Sequence, residues 1–281
     1  MKQDIRTVIN ENEDPGVHRI PIIQKVKPFV LDFDIPKYHW VPDKVDKRDH
    51  PYQLTNKTQS KVVDLRNYCS PIEDQGNLGS CTGNAIAGAI ELLHKRKSRT
   101  LDISRLFIYY FERLFIGTVN YDSGAYIRDG IKACYTYGAP IENLWPYDIT
   151  KFKNRPSKPA ITEALTRKIT SYQRAADFNA VIDAVTSGYP VIAGFDVYSS
   201  FTSTAVTRTG IMPYPNTKKE KYLGGHAILI VGYNKTTSTF IVRNSWGTNW
   251  GDKGYFYMPF QVIQNTRMSS DFWIIKNINN L

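Results

Sequence analysis

The chain has 281 residues, 42% of them hydrophobic and 13% aromatic, with a formal charge of +10. That hydrophobic share excludes a disordered chain, and the 26 acidic residues interspersed among the 36 basic ones exclude a long polyanion-binding block. The short basic clusters "HKRKSR" (His94–Arg99) and "TKKEK" (Thr217–Lys221) have no zinc-finger spacing or RNA-binding aromatic signature beside them, so a nucleic-acid partner is not expected.

The N-terminus, "MKQDIRTVINENEDPG", lacks the apolar core of a secretory signal, and no stretch approaches the ~18 apolar residues of a membrane span. An intracellular protein with no membrane partner is expected, with packaging into a particle or vesicle left open. The three cysteines, Cys69, Cys81 and Cys134, cannot all pair within one chain, and none stands in a C-x-x-C arrangement. That favours a reducing compartment, or a fold that needs no disulfides.

Residues 1–60 are rich in Asp, Lys and Pro, with extended pieces such as "HRIPIIQKVKPFVLDFDIP". They read as an extension lying on a domain, because exposed apolar strands of this kind usually find something to pair with. From Cys81 to His94 the apolar spacing predicts a buried helix, with Ala85, Ile86, Ala89, Ile90 and Leu93 on one face. A second helix is predicted over Leu101–Phe115, with Asp102 or Ser104 as N-cap, and a third over Tyr126–Gly138, closed by its glycine. After about residue 185 the pattern turns to strands: "YPVIAGFDV", "HAILIVGYN", "FIVRNSW" and "GYFYMPF". A helical half followed by a β half gives an α+β fold of two packed lobes, with a ligand site expected at their junction.

One cysteine stands out. In "EDQGNLGSCTGNAIAG", Cys81 sits where a glycine-rich turn becomes a helix, and a helix start favours a thiolate through its unpaired N–H groups and dipole. A cysteine nucleophile also needs a base, a group to orient that base, and donors for the oxyanion. His226, after two glycines in "LGGHAILIVGYN", enters an apolar strand; His18, His39, His50 and His94 lie in the extension or on a charged helix end. Asn244 in "VRNSWGTNWGDKGYF" precedes Trp246 and Trp250, so its carboxamide can be roofed by indole while it fixes an imidazole tautomer. Gln75 can offer a side-chain N–H to an oxyanion beside the Cys81 N–H. Cys69 and Cys134 are read as small buried hydrophobes.

The three stretches "DQGNLGSCTGNAIAG", "GGHAILIVGYN" and "VRNSWGTNWGDKGYFYM" together resemble the cysteine, histidine and asparagine boxes of the papain-like cysteine peptidases. The likeness extends to "VVDLRNYCSPIEDQG" and "GAYIRDGIKACYTYGAPIENLWPY", and so covers residues from about 62 to the end. It implies a two-lobe fold over residues 61–281, with a helical lobe at about 75–170, a β-barrel-like lobe at about 171–281 and the cleft between them. It implies peptide-bond hydrolysis through an acyl-enzyme, with catalytic residues Cys81, His226, Asn244 and Gln75, protein or peptide substrates, and no metal or organic cofactor. It places substrate backbone against Gly124 and Ala125, and lines the pocket for the residue two before the scissile bond with Tyr126, Ile127, Gly194 and Ala227, which suggests a bulky apolar preference.

The sequence departs from the family in three places. A cysteine usual three residues before the nucleophile is Leu78 here, and its partner position falls near Asp122. The aromatic residue usual after the nucleophile is Thr82. The long helical propeptide is missing; residues 1–60 resemble a propeptide only by position, either covering the cleft until removed or displaced, with "FVLDFDIP" crossing it as a blocker, or forming a permanent part of the fold. A catalytically silent binding module and a cysteine acyltransferase or transpeptidase are the alternatives.

Overall fold

The computed structural model describes residues 40–55 and 57–281. The segment "FVLDFDIP", His18 and His39 lie outside the described residues.

Helix α1 (Cys81–Lys95) starts at the predicted cysteine, and its expected face, Ala85, Ile86, Ala89, Ile90 and Leu93, is buried. Small residues in its first turn let α2 (Arg105–Phe115) approach closely: a Cβ at Gly83 would lie 2.9 Å from the Arg105 carbonyl oxygen. Of the two candidate caps for α2, Ser104 serves, its hydroxyl accepting from the Phe107 N–H at 3.2 Å. Helix α3 (Ile127–Tyr137) ends at Gly138, whose φ of 77° and contact with the Ala164 carbonyl leave no room for a side chain. His94, expected on a charged helix end, is instead buried in the last turn of α1, and burial lowers its pKa to about 4.

The second lobe is built on one antiparallel sheet. Its strands are β1 (Val62–Asp64), β2 (Ile169–Arg174), β3 (Val191–Tyr198), β4 (Tyr222–Asn234), β5 (Thr239–Arg243), β6 (Tyr255–Pro259) and β7 (Ser269–Ile278). They run in the order β2-β7-β3-β4-β5-β6, with β1 beside β4. The four predicted strands are β3 to β6. The sheet does not close, so the lobe is barrel-like only loosely.

Alternation along the strands sorts residues into two cores. Ala227, Leu229 and Val231 of β4 face α1 and α3, together with Ile86, Ile90, Ile127 and Trp273. Ile228 and Ile230 face the opposite way, onto Val181 and Val185 of the helix Phe178–Thr186 and onto Phe195 and Phe240. Helix α1 thereby crosses the sheet over β4, which sets the predicted nucleophile and the predicted base on elements in contact.

The described part of the N-terminal extension is a strap against this body. Trp40 is bridged to Ala125, Pro51 lies beside edge strand β2, and the Tyr52 N–H donates to the Arg174 carbonyl at 2.8 Å. The Tyr52 hydroxyl donates to Asp183 at 2.9 Å, and Lys61 accepts from the Lys235 N–H at 2.9 Å.

Candidate active site

The helix start that carries Cys81 is held by polar contacts. Asn84 reaches back to the Ser80 carbonyl at 3.0 Å, and the Ser80 hydroxyl meets the Tyr147 hydroxyl at 2.5 Å. Thr82 turns its hydroxyl into the helical lobe and donates to Glu112 at 2.6 Å. Ahead of the helix, the Gly79 N–H donates to both oxygens of Asp122 at 3.0 Å. The Tyr109 hydroxyl also donates to Asp122 and accepts from the Gly124 N–H at 3.2 Å. A carboxylate and a phenol thus join the loop before Cys81 to the Gly124 segment, where the resemblance would place a disulfide. None of the three cysteines forms one; all are buried, and burial raises the thiol pKa of Cys69 and Cys134 above the ordinary range.

His226 pairs with Phe195 across β3 and β4, in a strand whose backbone is fixed on both sides. Its Nε2 lies 2.8 Å from Asn244 Oδ1. The Trp246 indole stacks on the imidazole with ring centres 4.8 Å apart and planes 29° from parallel. That roof keeps water from competing for the His226–Asn244 bond. Nε2 is thus the ring nitrogen that Asn244 holds, which fixes the direction of the imidazole.

Gln75 and Asn244 are joined through a residue that the sequence reading passed over. The Ser245 N–H donates to Asn244 Oδ1 at 2.9 Å, and the Ser245 hydroxyl donates to Gln75 Oε1 at 2.6 Å. Backbone pairing completes the junction, from the Gln75 N–H to the Ser245 carbonyl at 2.8 Å and from the Gly247 N–H to the Glu73 carbonyl at 2.9 Å. Since Oε1 takes the serine hydroxyl, the Gln75 amide turns Nε2 the other way, where it donates to the Leu78 carbonyl at 2.9 Å. Cys81, His226 and Gln75 are each 0% exposed. Asn84 and Ala85 of α1 line one interior cavity with Ala227, Asn244 and Ser245, so the first turns of α1 face the histidine strand.

Of the six expected substrate-contacting positions, Gly194 lies against the indole of Trp40, Ala125 is bridged to Trp40 through the backbone, and Ile127 and Ala227 belong to the same buried cluster as Trp40. A Cβ at Gly194 would come within 1.9 Å of that ring. The Trp40 N–H donates to the Gly225 carbonyl at 2.9 Å and the Val41 N–H to the Ala125 carbonyl at 3.4 Å, a parallel bridge along the edge of the pocket. Gly124 and Tyr126 flank Ala125, Gly124 in the positive-φ region at 67°. Nothing local in "KYHWVPDK" marks Trp40 as a pocket filler, because its partners lie 85 or more residues away in sequence. Ser245 was more accessible, since it sits between the two residues of "NSW" already singled out.

A two-lobe α+β body with a cysteine at a helix start and a tryptophan-roofed histidine–asparagine pair defines a cysteine peptidase fold. Residues 59–276 match the model of the papain family cysteine proteases, and the chain belongs to that family. It is 39% identical over 275 residues to an uncharacterized peptidase C1-like protein of Acanthamoeba polyphaga mimivirus, covering 86% of this chain and 88% of the relative. Among solved structures it resembles xylellain, a cysteine protease from Xylella fastidiosa, with a TM-score of 0.80 and 38% identity over 89% of this chain and 99% of that one. The fold also matches digestive procathepsin L 3 of Tenebrio molitor, with a TM-score of 0.65 and 22% identity over 80% of this chain and 72% of the other.

Proposed function

We propose that this cysteine peptidase cleaves peptide bonds with Cys81 as nucleophile and His226 as acid and base, and that it is made latent. In this reading the Cys81 thiolate attacks the carbonyl carbon while the imidazolium of His226 holds the proton on Nδ1. The oxyanion is received by the Cys81 N–H at the start of α1 and by Gln75 Nε2. The tetrahedral intermediate collapses as His226 passes its proton to the leaving amine, and the same imidazole then takes a proton from the water that hydrolyses the thioester. Asn244 fixes the ring, and Ser245 ties Asn244 to Gln75, so that the two groups that must act together share one rigid junction.

The observation that carries this reading is the 2.8 Å contact between His226 Nε2 and Asn244 Oδ1 under the stacked Trp246. A silent binding module would have no need for a roofed, tautomer-fixing pair. An asparagine rather than an aspartate beside the histidine also favours hydrolysis over transglutaminase-like chemistry. Latency is supported by the sealing of Cys81 and His226 from solvent and by Trp40 standing where substrate would pair. In the same reading, Gly124 and Ala125 receive substrate backbone, and Tyr126, Ile127, Gly194 and Ala227 form the pocket walls. The N-terminal segment is the enzyme's own blocking partner, and other proteins or peptides are its substrates.

Intact-mass analysis of the wild type, Trp40→Ala and Cys81→Ala with an epoxide thiol inhibitor tests this directly. One adduct located at Cys81, gained at least tenfold faster in Trp40→Ala and absent from Cys81→Ala, is expected. Equal slow labelling of all three cysteines would leave only the fold of a peptidase.

A further inference from the structure

Two buried amides, Asn84 at 6% exposure and Asn244 at 3%, line the cavity that α1 shares with β4 and the Asn244–Ser245 segment. Each keeps one atom unmatched. Asn84 Nδ2 donates to the Ser80 carbonyl at 3.0 Å, which fixes the amide and leaves Oδ1 an acceptor with no donor among the described residues. Asn244 Oδ1 accepts from the Ser245 N–H at 2.9 Å, which fixes that amide too and leaves Nδ2 a donor with no acceptor among them. The two stranded atoms are complementary. Leaving both without a bond in the interior is unfavourable, and an asparagine inside a buried helix is a poor choice on packing grounds alone.

Apart from these two atoms, hydrogen bonds run in a ring through the site. Asn84 Nδ2 also donates to the Ser80 hydroxyl at 3.1 Å, the Ser80 hydroxyl donates to that of Tyr147 at 2.5 Å, and Tyr147 donates to the Gln75 carbonyl at 2.9 Å. From Asn244 the other arm passes through the N–H and hydroxyl of Ser245 to Gln75 Oε1. Both arms end on Gln75. The open step lies between Asn84 Oδ1 and Asn244 Nδ2, and the cavity they line has a volume of about 10 Å³ for water centres, close to what one water takes. A water accepts from Nδ2 and donates to Oδ1, so its needs match the atoms on offer. The charged residues on the cavity wall are already engaged, Glu73 with Arg105 at 2.5 Å and Arg243 with the Ser70 carbonyl at 2.5 Å.

We propose that Asn84 is a positioning residue for His226, acting on Asn244 through one water held in this cavity. This rests on the catalytic reading given above and deepens it. Asn84 stands one turn beyond Cys81 on the same face of α1, so the water joins the turn that carries the nucleophile to the group that orients the base. With Oδ1 and Nδ2 both held, the Asn244 amide plane resists tilting. Its 2.8 Å contact with His226 Nε2 keeps its direction, and the closed ring of bonds polarises that contact.

The first test is a wild-type crystal structure at a resolution that shows ordered solvent. One water within hydrogen-bond reach of both Asn84 Oδ1 and Asn244 Nδ2 is expected; a dry cavity would overturn the proposal. The second test follows alkylation of Cys81 by iodoacetamide, read by mass, in the full chain carrying Trp40→Ala to open the cleft. At pH 8.5 an ordinary thiol is about half ionised, whereas at pH 5.5 a thiolate paired with an imidazolium is the species that reacts. Asn84→Leu is expected to slow alkylation at least fivefold at pH 5.5 and to leave it within about twofold at pH 8.5, a separation that a packing defect alone would not produce. In an Asn244→Ala background the same substitution should add no further loss, because the route by which it acts is gone. No effect at pH 5.5, equal effects at both pH values, or losses that multiply in the double variant would overturn the proposal. The solvent structure needs no substitution, so it decides even where Asn84→Leu fails to fold. A bridging water together with an unreactive Cys81 at pH 5.5 in the Trp40→Ala chain would instead overturn the catalytic assignment on which the proposal rests.

Discussion

The wall that carries Cys81 is held by buried polar groups, and the wall that carries His226 is held by aromatic rings. On the helical side, Glu112 receives the Thr82 hydroxyl, Asp122 joins Gly79 to Tyr109, and Arg113 lies 4.2 Å over the Tyr109 ring while donating to the carbonyls of Tyr109, Val119 and Tyr121. On the β side, Phe201 meets Phe195, Trp246, Trp250 and Phe256 with ring centres 5.0 to 5.4 Å apart. Each arrangement suits its task. Small residues at the start of α1 bring backbone close to α2, where loops must be bridged by hydrogen bonds, and the histidine needs a dry, rigid roof. The two walls should therefore fail in different ways.

The most damaging change on the β side is Phe201→Ala. It removes a 0%-exposed ring from the centre of five, and truncations of this kind cost ~3–5 kcal/mol through lost transfer energy and a residual cavity. Urea unfolding is expected to show that loss with little dependence on pH, and Trp246 should lose its fixed stacking on His226. An unchanged midpoint would mean that the roof is not held by its ring neighbours.

On the helical side, Asp122→Ala leaves the Gly79 and Tyr109 donors unanswered, at about 1–3 kcal/mol for each stranded buried donor. The loop before Cys81 and the Gly124 segment lose their common tie, so turnover by an activated form should fall more than midpoint stability does. Replacing Leu78 and Asp122 together by cysteine asks whether a covalent bridge can take over. Recovery of turnover on oxidation and its loss on reduction are expected, and a variant equally active in both states would show that this tie does not position the nucleophile.

How much of this could be read from the chain divides along the same line. The structural places of Cys81, His226, Asn244 and Gln75 are legible because each sits in a local pattern: a helix start, a strand entry, a tryptophan-flanked strand end, a loop six residues before Cys81. Strands β3 to β6 carry long apolar runs and were equally plain. Strand β2, "ITSYQR", is polar because it lies at the sheet edge under the strap, and β1 is only three residues long, so neither signals itself. The apolar core "FWII" of β7 has no alternation to distinguish it, since it is a central strand packed on both faces. The insertion of Trp40 is not a local property at all. It arises from a strap meeting α3, β3, β4 and β7 at once, and no window of sequence holds those partners together.

A separation of the two walls that depends on pH comes from Glu112, and its sign follows from burial. The carboxyl is 0% exposed, and desolvation raises it from 4.5 to about 8 against the smaller opposing pull of the Thr82 bond and Arg113. A raised folded-state pKa means that the folded protein holds a proton that the unfolded chain has already lost between about 4.5 and about 8. The stability this provides is complete below the unfolded value and is lost as pH rises through the folded one, at a slope on the order of 1 kcal/mol per pH unit for one such group. Glu112→Gln keeps the shape and an acceptor for Thr82 but has nothing to titrate. Unfolding followed from pH 5 to pH 8.5 should therefore show the wild type weakening relative to Glu112→Gln across that window, with the two curves closest at the acidic end. The Phe201→Ala offset, set by a ring that carries no charge, should stay constant over the same range. Parallel curves for wild type and Glu112→Gln would mean that Glu112 is ionised in the folded protein and paired, which would place Arg113 rather than burial in control of the helical wall.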